Sequence, residues 1–206
     1  MKFRPGLRLV SLLSAIALLS ACGSGMLDAT RPGVVTVSGG GGGGGSSIVY
    51  TGVLGDSLSH GIVSFTVTST LSVRGTVTFS GASPITVTGV VDTTNPPELH
   101  ASGSSYTFTA FYGDPVLGTV TGVYAGPSLP GYFVAANDSI AGQTHALYCG
   151  TYTSTNSNGK MVFQVMSGGA FTGYAIQSTG NAASASLSGT VVNNVQMSGT
   201  TDTQLP

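Results

Sequence analysis

Val63-Ser64-Phe65-Thr66-Val67-Thr68 puts apolar side chains on one side of an extended chain and hydroxyls on the other. Successive side chains of a strand point to opposite faces, so a two-residue period marks a half-buried β-strand. The period continues outward from there. Leu71, Val73, Gly75, Val77 and Phe79 alternate with Ser72, Arg74, Thr76, Thr78 and Ser80, and Ile85, Val87, Gly89 and Val91 follow. Short strands separated by Gly, Asn, Asp and Ser predict an antiparallel meander. Gly75, Gly89, Gly118, Gly122, Gly173 and Gly189 lie on the apolar side, where glycine weakens a strand unless the backbone bends or a ring needs the space. The reading is therefore all-β: an antiparallel meander closing as a barrel or sandwich, the curved barrel preferred.

The pattern occurs twice. A shift of 98 positions superposes Tyr50 on Tyr148, Gly52 on Gly150, Phe65 on Phe163, Val67 on Val165 and Gly75 on Gly173. Val87-Thr88-Gly89 then faces Leu187-Ser188-Gly189 at a shift of 100, and Ser102-Gly103 faces Ser198-Gly199 at 96. This predicts two unequal tandem repeats, residues 48–140 and an incomplete 141–206. The first continues through Tyr106-Thr107-Phe108-Thr109, Val116 to Tyr124, and Tyr132-Phe133-Val134, for which the second has no counterpart. An unfinished sheet leaves an unpaired edge. Two outcomes are open: the second repeat docks on the first to complete one structure, which is the expectation preferred, or the sequence lacks a terminal strand.

The N-terminus is of another kind. Lys2, Arg4 and Arg8 precede an apolar run, Leu9 to Leu19, too short to span a bilayer as a helix. Leu19-Ser20-Ala21-Cys22 closes the run: a branched apolar residue, two small residues, then cysteine. The pattern resembles the lipobox of bacterial lipoproteins. The resemblance implies that residues 1–21 are a signal peptide, that Leu19, Ser20 and Ala21 are read by the signal peptidase, and that Cys22 carries the lipid. It also implies a partner, the membrane, reached through the N-terminal anchor; Gly23 after the cysteine suggests the outer membrane. The body, with Tyr50-Thr51-Gly52 and Tyr148-Cys149-Gly150, loosely resembles Gly/Thr-rich envelope lipoproteins, which implies no defined activity. Residues 22–47, with the run Gly39 to Gly45, read as a flexible tether reaching about 25–30 Å.

Composition excludes some classes. The chain has six basic and seven acidic residues. Without residues 1–21, three basic residues (Arg31, Arg74, Lys160) face seven acidic ones, a net of −4. A basic footprint for nucleic acid is missing. With Cys22 taken by lipid, no internal disulfide is expected, and Cys149 reads as a lone, buried, inert thiol, with an intermolecular bridge or a lost partner as the alternatives.

Candidates for chemistry are few. His60 beside Gly61, with Asp56 nearby, reads as a solvated turn. His145 and Cys149 on one strand stand about 13 Å apart, beyond the reach of a thiol dyad. Glu98, Asp92, Asp114 and Asp138 sit at strand ends or turns, where aspartate bonds nearby amides. No metal-ligand spacing occurs, and no cofactor is expected. Tyr106, Phe108 and Tyr112 share one strand face, with Phe111 opposite and Tyr124 downstream. Core packing is one reading of them. The sharper one is an aromatic binding surface for an envelope protein or polysaccharide. Three functions follow in order: a lipid-anchored, non-catalytic β domain for interaction or structure; an outer-membrane β-barrel or pore; and a hydrolase of envelope polymers.

Overall fold

The structure, a computed structural model, describes residues 19–21, 47–94, 96–112, 118–137, 145–153, 158–166, 168–178, 184–192 and 196–202. Strand β1 (Leu19–Ala21) is followed by eight strands that close a barrel. These are β2 (Ile48–Gly55), β3 (His60–Val67), β4 (Ser72–Phe79), β5 (Ile85–Asp92), β6 (Glu98–Gly103), β7 (Tyr106–Phe111), β8 (Thr119–Ala125) and β9 (Gly131–Asn137). Each pairs antiparallel with the next, and β9 returns to β2 with Gly52 opposite Ala135. A second antiparallel sheet contains β10 (His145–Thr153), β11 (Asn158–Met166), β12 (Ala170–Gln177), β13 (Ser184–Val192) and β14 (Gln196–Asp202). Its order is β1-β10-β11-β12-β13-β14. Residues 22–46, expected as a tether, lie outside the described residues.

Alternation decides which way each barrel residue faces. Val63, Phe65, Val67, Val73, Val77, Phe79 and Val87 are buried inside, while Arg74, Thr76, Thr86 and Thr88 are exposed. Aromatic rings fill the axis: Phe65, Phe108 and Phe133 stand 5.7–5.9 Å apart in all three pairings. Each such contact adds about 0.5–1.5 kcal/mol beyond the area buried. An eight-stranded barrel has room for side chains at its axis and little else. Gly75 makes room for one of them, since a Cβ there would lie 2.7 Å from Cδ1 of Phe65.

The second sheet covers one apolar part of the barrel's outer face, while Val90, Phe111 and Val123 stay exposed elsewhere on it. Val53 and Val134 point outward and are buried against Cys149, Val162, Tyr174 and Ile176, and Tyr132 lies 4.9 Å from Tyr174 between ring centroids. The expected mode of docking is corrected in this respect. The barrel is completed by its own β9, and the second sheet packs on its outside without sharing a hydrogen-bonded strand.

The two sheets have matching registers. Tyr50, Phe65, Gly75 and Val87 form one cross-strand row of the barrel, and Tyr148, Phe163, Gly173 and Leu187 form one row of the second sheet. A second row, Val67, Val73, Gly89 and Ala101, is matched by Val165, Phe171, Gly189 and Gly199. Gly199 therefore answers to Ala101, at an offset of 98 instead of the 96 read from Ser102-Gly103.

Cys149 requires another correction. It is fully buried, as expected, but it is disulfide-bonded and not a lone thiol. The chain's other cysteine, Cys22, lies outside the described residues.

The β6–β7 hairpin turns through Ser104 and Ser105, both at positive φ (+47° and +70°). Two-residue hairpins of this hand favour Asn-Gly, because serine's Cβ crowds the carbonyl there. Replacing the pair by Ser104→Asn and Ser105→Gly is expected to raise stability by about 1 kcal/mol. A denaturant midpoint that rises at constant slope checks this; an unchanged or lower midpoint contradicts it.

Candidate functional site

The β2–β3 hairpin carries a buried carboxylate. Asp56 follows β2, its N–H donates to the Ser59 carbonyl at 2.9 Å, and its side chain caps the turn. Oδ1 accepts the amides of Leu58 and Ser59, each at 2.7 Å. Oδ2 accepts the Ser59 hydroxyl at 2.7 Å and the Tyr124 hydroxyl at 2.8 Å. Asp-x-x-Ser after a strand is a turn signal legible in sequence. The partner on β8, sixty-eight residues away, is not. From the second sheet, Lys160 Nζ donates to the Leu58 carbonyl. The hairpin is thus bolted to the barrel wall and to the neighbouring sheet.

Beside it opens a cavity of about 160 Å³, lined by Asp56, Leu58, Ser59, Tyr106, Gly126 and Leu129. Its chemistry is limited. A carboxylate offers about four lone-pair sites, and four donors occupy those of Asp56. Burial, then the charge and hydrogen bond of Asp56, push the Tyr124 hydroxyl far above the ordinary tyrosine range, against a smaller opposing effect of Ser59. Burial and the Lys160 charge lower His60 below the ordinary imidazole value, with Asp56 acting against them. With four donors on its carboxylate, Asp56 is a clamp that holds the hairpin.

The aromatic surface is corrected by the structure. Phe108 and Tyr124 are each 1% exposed and lie in the barrel core. Tyr106 is half-buried at the Asp56 end, tilted against Phe79 at 5.1 Å. Tyr112 lies at the other end of β7, edge-on to Tyr50, whose hydroxyl donates to that of Tyr112 at 3.2 Å. These four rings lie in or against the barrel core and form no exposed surface. Phe111, on the opposite side of β7, is the exposed one.

The remaining candidates are scattered. Glu98 and His100 approach to 3.2 Å on the barrel's outside, both about half exposed. Asp92 caps Thr94, whose amide donates at 2.9 Å. His145 opens β10, while Asp114 and Asp138 lie outside the described residues. Among the described residues no group of three His, Cys, Asp or Glu side chains could hold a metal ion. No family model matches the chain, and neither does a curated protein or a solved structure.

Burial raises the hydroxyls of Tyr50, Tyr124 and Tyr174. A folded-state value above the unfolded one gives stability that is complete below the unfolded value, near pH 10, and is lost as pH rises beyond it. Stability is expected to fall above pH ~10 with a slope of up to about 1.4 kcal/mol per pH unit for each buried tyrosine. Tyr124→Phe should flatten that slope, and at neutral pH should cost about 1.5–3 kcal/mol for a bond to a charged acceptor. Equal alkaline profiles for the two proteins would contradict the assignment.

Proposed function

We propose that the chain is a lipid-anchored protein of the bacterial cell envelope whose β body serves interaction or structure and performs no catalysis. One observation carries the reading: Leu19-Ser20-Ala21-Cys22 ends a short apolar run preceded by Lys2, Arg4 and Arg8. A single acyl chain gives only marginal binding, so the several chains that such a cysteine carries would make a lasting anchor. Gly23 favours the outer membrane.

The body supports the non-catalytic half of the reading. Its buried carboxylate is saturated by four donors, and Glu98 and His145 sit on different sheets. That speaks against the hydrolase. The pore is disfavoured by the direction of the pleat. A transmembrane barrel turns apolar residues to lipid and needs strands of about 9–11 residues. Here the barrel strands run six to eight residues, with the rings inside and hydroxyls such as Thr76, Thr86 and Thr88 outside. The matched registers of the two sheets favour an internal duplication, with the second unit remade to lie on the first. Another envelope protein or a polysaccharide is the partner class in view.

Labelling cells with radioactive palmitate tests the anchor. The full chain should take up label and fractionate with membranes, and Cys22→Ala should lose both properties. An unlabelled wild-type chain beside a labelled control lipoprotein would overturn the proposal.

A further inference from the structure

Val90 on β5, Phe111 on β7 and Val123 on β8 are 55%, 54% and 46% exposed on the outside of the barrel. Among the described residues the other exposed large apolar side chains, Leu58 and Leu129, belong to turns beside the Asp56 cavity. The registers gather the first three on one face. Phe111 lies opposite Thr121, and Val123 is two residues further along β8, a diagonal pair about 7–8 Å apart and within reach of an aromatic ring. Val90 stands opposite His100 and Phe111 opposite Glu98, so the Glu98–His100 pair fills the space between them. The outward positions of β4, by contrast, are Ser72, Arg74, Thr76 and Thr78.

This patch is continuous with an interface the molecule already uses. Val123 lies opposite Tyr132, whose ring packs on Tyr174, and Thr121 lies opposite Val134, which is buried beneath the second sheet. Covered and uncovered parts are neighbours on one sheet face, and the covered part is occupied by a β-sheet of this same chain. We propose that the face carrying Val90, Phe111 and Val123 docks a second copy of the chain, the two barrels meeting face to face about a two-fold axis. A two-fold contact uses the same patch twice, so the patch must complement itself. This one does. Sheet lies against sheet, apolar side chains meet apolar ones with Phe111 as the aromatic anchor, and each copy brings both an acceptor, Glu98, and a donor, His100. Four strands about 4.8 Å apart and roughly 20–25 Å long present on the order of 400–500 Å² per copy. The total, about 800–1,000 Å², is at the low end for specific association, so the dimer is reversible and in the micromolar range. The surface is read from the barrel alone and stands apart from the lipid anchor.

The test expresses two differently tagged copies of the full chain in one cell, one with photoreactive benzoylphenylalanine in place of Phe111. Illumination should join the two tags in a single product of twice the chain mass, and the same group in place of Thr76 on β4 should not. Sedimentation of the purified full chain in mild detergent, over a hundredfold range of micromolar concentrations, reads the equilibrium. The wild type should pass from monomer to dimer; Phe111→Glu should raise the Kd about tenfold or more, and Phe111→Leu should change it little. Val123→Lys repeats the test should the glutamate variant fail to fold. A crosslink from position 111 to another protein or to a polysaccharide, with none between the tagged copies, would overturn the proposal. So would a wild type that stays monomeric throughout the range, or a dimer that both charged substitutions leave intact.

Discussion

The antiparallel pairing of β2 with β9 removes both edges of the eight-stranded sheet, and the rest of the molecule is arranged around that closure. Sheet edges invite pairing with other chains, and a closed barrel has none. Closure brings backbone against backbone at Gly52, where a Cβ would lie 1.9 Å from the Val134 carbonyl oxygen. It also turns every inward row toward a common axis, where Phe65, Phe108, Phe133 and Tyr124 pack. The Asp56 clamp then ties the β2–β3 hairpin to β8 across the mouth.

The second sheet reuses the rows of the first but solves a different packing problem. In the barrel, positions such as Ser64, Thr76 and Thr78 face outward and are hydroxyls. Ninety-eight residues on, the same positions hold Val162, Tyr174 and Ile176, and these are the side chains buried against Val53 and Val134. Apolar substitution of the outward set is what lets one sheet lie on another, because removing it from water contributes about 25 cal/mol per Å². Lys160, reaching the Leu58 carbonyl, adds a polar tie at the margin of that contact.

Much of the fold was legible because a two-residue period in Val, Phe, Ser and Thr has one structural meaning. The glycines were legible for the same reason, as with Gly75 under the ring of Phe65. Closure through β9 was not, since alternation states which side a residue faces and not which strand lies beside it. The aromatic group was misjudged on that distinction. Tyr106, Phe108 and Tyr124 do share a face, but it is the inner one, and Phe111 opposite them is 54% exposed. The Asp56–Tyr124 bond joins residues remote in sequence, and no local pattern encodes such a pair.

Closure is tested most directly by nuclear Overhauser effects between backbone protons of β2 and β9 in the isotope-labelled full chain. Cross-strand contacts between Gly52 and Ala135, together with those linking Thr51 to Ala136, are the predicted result. Contacts from β2 to a strand of the second sheet in place of β9 would contradict the barrel and everything built on it.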